Sequence, residues 1–242
     1  MSLVENGASS GAVSLRQLFA GHGPAVADPG LNIHDLSALI ARGGWPAQQG
    51  RSLKAASRSA RDYLEQVRRV DISRVGDRSR DPMRVGALLR SLGRHCATEA
   101  RLRKAPKRHF VDPSLALAAT GASAERLFED FEWFGQLFES LVIRDLRVLS
   151  QPLDGEVLHY RDVYGVEVDA IVQLHDGRWG AIEIKLGESQ VDAAAAGLKR
   201  FSEQIDSQRS GSPAFLAVIC GKGYGYRRHD GVDVIPVGAL GP

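Results

Sequence analysis

The chain has 242 residues, 43% of them hydrophobic, and a formal net charge of +2, enough length and apolar content for one large packed domain or two small ones. No apolar run approaches the ~20 residues of a membrane span, and the N-terminus lacks the basic-then-apolar layout of a secretory signal. Cys96 and Cys220 lie far apart, with no Cys or His beside them at ligand spacing. A disulfide scaffold, a zinc site and a membrane protein are therefore argued against, and a soluble cytoplasmic protein is expected.

The first fifty residues are loosely organised. Met1 to Val13 is polar and rich in Gly and Ser, Ser14 is placed to cap a short helix, and Gly21 to Gly30 reads as a loop. Residues 32–41 read as a helix, with Ile33, Leu36, Leu39 and Ile40 at helical spacing and Gly43-Gly44 as its stop. Residues 51–70 and 82–100 read as basic helices. Residues 1–110 hold 19 Lys/Arg against 9 Asp/Glu, whereas residues 111–242 hold 12 against 20. Such polarity marks a nucleic-acid-binding half or two halves that attract each other. The basic 51–109 region, ending in Arg101-Leu-Arg-Lys-Ala-Pro-Lys-Arg-His109, is either a phosphate-contacting patch or a solvated, partner-facing surface. The run 101–109 contains no aromatic residue before Phe110, so it does not read as a stacking platform.

From Val111 the pattern changes. Asp112 and Pro113 start a short helix, and residues 124–147 form the strongest helical pattern of the chain, with Leu127, Phe128, Phe131, Phe134, Leu137, Phe138 and Leu141 in one apolar stripe. Glu139 falls on the margin of that stripe. It is either an ordinary surface carboxylate or one that reaches over a sheet edge, with Gly135 leaving room for close packing. Strands are predicted over 156–163, 167–174 and 178–186, a helix over 191–207 and a buried strand over 214–220. Residues 224–228 and 232–237 read as short edge elements around an Asp-Gly turn. This order predicts an α/β (α+β) protein with a mixed central sheet, flanking helices and an αβββαβ core, preceded by a helical N-terminal region. The domain boundary is placed between residues 110 and 111.

Two of these strands, Glu167-Val-Asp169-Ala-Ile-Val and Ala181-Ile-Glu183-Ile-Lys185, alternate charged with aliphatic residues. Alternation puts Glu167 and Asp169 on one face, and Glu183 and Lys185 on another. The Asp176-Gly177 pair between them is a hairpin signal, so folding brings Asp169, Glu183 and Lys185 together. Two carboxylates and a lysine among aliphatics are costly to bury without partners, and the set reads as a site for a divalent cation, Mg2+ or Mn2+. Asp169 and Glu183 are the expected metal ligands, with Lys185 beside them. Glu167, on the strand face of Asp169, is an alternative ligand.

The order of elements, with Glu139 on the first helix, Asp169 on the second strand and Glu183-x-Lys185 on the third, resembles the core of the PD-(D/E)XK (restriction-endonuclease-like) nuclease superfamily. Several stretches also resemble the C-terminal domain of unknown function of a large family of prokaryotic AAA-type P-loop ATPases. These are Gly43-Gly-Trp-Pro46, Lys107-Arg-His-Phe-Val-Asp-Pro-Ser-Leu-Ala116, Gly135-Gln-Leu-Phe-Glu-Ser-Leu-Val142, Tyr160-Arg-Asp with Glu167-Val-Asp169, Ala181-Ile-Glu-Ile-Lys185, and Ala217 to Arg228 through Ile235-Pro236. The resemblance implies a nuclease-like C-terminal domain with Mg2+-dependent phosphodiester hydrolysis of DNA, in which Glu139 is a further metal ligand, directly or through water, and Lys185 positions or activates the attacking water. The alternative it leaves is a non-catalytic DNA- or protein-binding module, or an inactive remnant. The ATPase motif of the family is missing, since Gly221-Lys222-Gly223 lacks an upstream glycine and a following Ser or Thr. His95 to Ala100 also runs straight into Arg101, without the winged-helix-like segment that relatives carry there. A truncated, internally shortened relative that binds no ATP is therefore expected, with nucleic acid or a protein as partner and no membrane.

Overall fold

The structure, a computed structural model, describes residues 1–71, 81–97 and 107–242. In chain order its main elements are β1 (Val13–Ser14), α1 (Leu15–Phe19), α2 (Ile33–Arg42), α3 (Leu53–Gln66), α4 (Pro82–Arg94), α5 (Ser114–Thr120) and α6 (Phe131–Ser150). They continue with β2 (Gly155–Arg161), β3 (Glu167–Leu174), β4 (Trp179–Lys185), α7 (Val191–Gln204), α8 (Ser207–Ser210), β5 (Phe215–Cys220), β6 (Tyr226–Arg227), β7 (Asp233–Pro236) and β8 (Leu240–Gly241). The fold is mixed α/β, with a helical N-terminal region and the succession αβββαβ from α6 to β5. The chain divides into two units, one made of Met1–Ile33 and Val142–Pro242, the other of His34–Leu141.

The first unit holds a six-stranded sheet in the order β2-β3-β4-β5-β7-β6. β2, β3 and β4 form an antiparallel meander, β4, β5 and β7 run parallel, and β6 returns antiparallel to β7. The meander turns as the sequence predicts. Leu174 N donates to the Arg178 carbonyl, and Gly177 takes φ +89°, a left-handed position that glycine occupies without steric cost. After β4 the chain crosses through α7, whose Val191, Ala194, Ala195, Leu198 and Phe201 bury against Trp179, Ala181, Leu216, Val218 and Val234 of the sheet. Gly180 lies under the Phe215 ring, where a Cβ would sit 2.3 Å from the ring edge. Gly180→Ala is expected to displace that buried ring and cost about 1–3 kcal/mol, read as a lowered Tm.

Three expectations change here. Residues 232–237 read as an edge element, yet β7 is internal, between β5 and β6. Asp233 gave it a polar look, but its fully buried carboxylate is gripped by Arg227 of β6, with Nε at 2.7 Å from one oxygen and Nη2 at 3.0 Å from the other. The predicted helix 124–147 is split. A 3-10 turn over Glu125–Glu129 comes first, and α6 starts after Asp130, whose carboxylate accepts from Trp133 N at 3.0 Å. The predicted helix 191–207 breaks at Ile205, where ψ is 128°, and Asp206 caps α8 by accepting from Gln208 N.

The second unit packs Ala60 and Leu64 of α3 against Leu115 of α5, with Trp45, Leu89 and Phe110 around them. Buried Asp112 ties its segments together: its oxygens accept from Gly44 N at 2.7 Å, Ser114 N at 2.9 Å and Ser114 Oγ at 2.5 Å. Gly43 is tightly confined here, since a Cβ on it would fall 2.4 Å from the same carboxylate. Trp133 Nε1 donates to the Gly93 carbonyl at 2.9 Å. A Cβ on Gly135 meets nothing within 4 Å, so that glycine is not a close-packing site as the sequence suggested.

Candidate metal and phosphate site

The candidate site starts from an irregularity in β3. Leu158 pairs with Ile171 and Tyr160 with Val168, so β3 spends one more residue than β2 over this interval, and Asp169 and Ala170 together oppose His159. Such a bulge bends the strand and re-aims a side chain. The ladder between β3 and β4 ends at the pair Ala170–Ile182. Just past that point Asp169 Oδ2 accepts from Ile184 N at 2.9 Å. The carboxylate thus takes the place of a backbone acceptor and is fixed against β4. Only 6% of Asp169 is exposed.

Glu183 and Lys185 stand two residues apart on β4 and so project from one face. Lys185 Nζ lies 2.5 Å from Glu183 Oε2 and 3.1 Å from Asp169 Oδ2. One ammonium therefore bridges two carboxylates from adjacent strands, as the alternation predicts. Burial, reinforced by the charge of Asp169, pushes the Glu183 carboxyl up to about 7, with Lys185 pulling the other way. Burial alone lowers the Lys185 pKa, but the charges of Asp169 and Glu183 outweigh it and hold the ammonium above its ordinary range. The register places Lys185 beside Cys220 and Glu183 beside Val218 on parallel β5. The cluster therefore sits at the carboxyl end of the parallel strands, the usual ligand-binding end of such sheets.

Glu167 and Glu139 each have partners of their own. The bulge removes Glu167 from the strand face of Asp169, and its Oε1 lies 3.3 Å from His159 Nε2 and its Oε2 3.7 Å from Arg161 Nη1, both on β2. Glu139 belongs to the second unit, where its Oε1 accepts from Lys107 Nζ at 3.1 Å and lies 3.8 Å from His109 Nε2. His109 Nδ1 is 3.0 Å from Ser140 Oγ, which is 3.1 Å from Cys96 Sγ. Sequence reasoning missed this buried polar chain because its members come from separate segments. Of the basic region, Lys54, Arg58 and Arg61 are exposed along α3, whereas Lys107 is half-buried and paired with Glu139. Arg101, Arg103 and Lys104 lie outside the described residues.

Among the described residues no three or more His, Cys, Asp or Glu side chains gather into a metal-binding group. An ion here would rest on the pair Asp169 and Glu183 and complete its shell with water, which suits magnesium, an ion that keeps several waters. Two hard oxygen donors with an excess of negative charge fit such an ion. Among the same residues no helix is long and apolar enough to cross a membrane.

Fold and cluster together describe a mixed α/β protein with a carboxylate–lysine site at the carboxyl end of parallel strands. Residues 134–240 match a family model described as a domain of unknown function (DUF4143). That stretch includes Glu139, Asp169, Glu183 and Lys185, and it agrees with the expectation of a C-terminal domain of unknown function. No curated protein and no solved structure matches the chain.

Proposed function

We propose that the sheet unit carries a metal-dependent nuclease site acting on DNA phosphodiesters, with Asp169 and Glu183 as ligands of Mg2+ or Mn2+ and Lys185 beside the attacking water. The observation that carries this reading is the single ammonium shared by buried Asp169 and half-buried Glu183 of neighbouring strands, set in the αβββαβ order of PD-(D/E)XK nucleases. When bound, the ion would polarise a phosphate oxygen and ease deprotonation of water. Asp169 is held by Ile184 N, so its oxygen is oriented before any ligand arrives. Lys185, on the face of Glu183, is placed to orient water and to offset charge that builds on the phosphate.

A non-catalytic binding role, or an inactive remnant, is the second reading, and one observation favours it. Lys185 already satisfies both carboxylates without a metal. We further propose a relative of the prokaryotic AAA-type ATPases that binds no ATP by a P-loop. Gly221-Lys222-Gly223 follows β5 but leads through bends into β6, with no helix N-terminus to receive phosphates. Micromolar ATP binding would contradict that part.

The test of the site is cleavage of labelled DNA with Mg2+ or Mn2+ by the wild type and Lys185→Ala. Cleavage is expected to fall by about 10²-fold or more in the variant, while calorimetric metal affinity stays within a few-fold. Retained cleavage would remove Lys185 from its assigned role, and absence of cleavage by the wild type would leave the binding reading.

A further inference from the structure

Two exposed tyrosines lie on the sheet face that carries Glu183. Tyr226 of β6 pairs with Val234, Val234 with Val218, and Val218 with Glu183. Side chains paired across strands share a face, so Tyr226 projects from the same face as Glu183, three strands away, or roughly 14 Å at ~4.8 Å per strand. Tyr224 lies two residues earlier in the same extended segment, with buried Gly225 between. It therefore shares that face, towards the end where Lys185 and Cys220 pair. Both rings are open, Tyr224 at 68% and Tyr226 at 45% exposure.

The segment is built to keep them there. Gly223 has φ +100°, and a Cβ on it would fall 2.4 Å from Glu188 Oε1. A Cβ on Gly225 would fall 2.4 Å from a methyl of Val26, to which residue Gly225 is also bridged. The glycines thus let the backbone lie flat on the protein while Lys222, Tyr224 and Tyr226 face outward. Arg228 Nη1, at 2.5 Å from Asp192 Oδ1, ties the end of β6 to the first turn of α7. Side chains two apart on a strand are separated by ~7 Å, about twice the ~3.4 Å rise between stacked bases. One unpaired base fits between two rings at that spacing. An exposed lysine just upstream is suited to a phosphate.

We infer that Tyr224 and Tyr226 form a stacking step for the bases of a single-stranded nucleic acid, with Lys222 on its backbone. The inference rests on the nuclease reading for the class of ligand: Val234 and Val218, which lie between Tyr226 and Glu183 on this face, are covered by α7, so the step is a separate contact for the nucleic acid, outside the cluster. Its selectivity comes from base faces, which a duplex hides within its stack.

The test is fluorescence anisotropy of the full chain with a labelled 15-nucleotide oligo-dT and with a 15-base-pair duplex, in EDTA so that no cleavage occurs. The wild type is expected to bind the single strand more tightly. Tyr224→Ala/Tyr226→Ala is expected to weaken that binding at least tenfold, in keeping with loss of base–aromatic stacking. Tyr224→Phe/Tyr226→Phe keeps both rings and is expected to stay within about twofold of wild type. Preference for the duplex, no binding by the wild type, or an alanine variant equal to wild type would each overturn the inference. Asp169→Ala separates the two proposals: binding kept with cleavage lost supports both. A wild type that binds the single strand but never cleaves retires the nuclease reading and keeps the stacking step.

Discussion

Asp169→Ala is expected to abolish Mg2+ and Mn2+ binding and to lower the stability of the metal-free protein by about 1–3 kcal/mol. The stability loss follows from the Ile184 amide, which donates to Asp169 and would be left without that acceptor in a buried strand. Part of it is offset, because Glu183 no longer faces a second charge. Its carboxyl is then expected to titrate below about 7, burial remaining as the force that raises it. Asp169→Asn separates the two effects. Its amide oxygen can still accept from Ile184, so stability is expected near that of wild type while metal affinity falls strongly. Calorimetric titration and thermal unfolding of both variants make the comparison. Metal binding that survives Asp169→Ala would contradict the proposed site.

The second large effect is a dependence on pH that saturating metal removes. In the metal-free protein Glu183 titrates at about 7, against an ordinary value of 4.5. Between those values the folded chain holds a proton that the unfolded chain has released. This contribution to stability is full below pH 4.5 and is lost as pH rises through about 7. Its size is on the order of 3 kcal/mol. A metal ion needs the ionised carboxylate, so binding expels the proton. Affinity for Mg2+ is therefore expected to rise about tenfold per pH unit below 7 and to level off above it. Thermal unfolding from pH 5 to 8, with and without saturating Mg2+, should show Tm falling towards pH 7 without the metal and staying nearly level with it, because neither the metal-bound nor the unfolded chain then holds the proton. Parallel series would mean that Glu183 is not a ligand.

Much of this was readable from the amino-acid order, because the signals were local. The alternation in 167–174 and 179–185 and the Asp176-Gly177 turn between them suffice to bring Asp169, Glu183 and Lys185 together. The bulge was hidden, since Asp169-Ala170 carries no marker of an extra residue and the partner that reveals it, His159, lies on another strand. That is why Glu167 looked like a companion of Asp169. Asp233 misled for a related reason: a carboxylate in a short strand suggests solvent unless its arginine is known. Glu139 was identified as a carboxylate on the apolar margin, but Lys107 and His109, which hold it, come from a segment some thirty residues earlier. Tyr224 and Tyr226 looked like ordinary edge residues until the register showed whose face they share.

The pairing of β1 with β8 has a kinetic consequence. Val13 meets Leu240 and Ser14 meets Gly241 in a parallel ladder, and Leu3 N donates to Asp145 at 2.7 Å. These contacts close loops of more than a hundred residues, which slows folding because ordering must precede the reward. Residues 34–141, a continuous stretch, can reach their own contacts without waiting. The six-stranded sheet, within residues 155–236, can do the same, but β1 finds its neighbour only once residue 241 is present. Docking of the N-terminal segment on Leu240-Gly241 is therefore expected to follow the assembly of both the helical stretch and the six-stranded sheet.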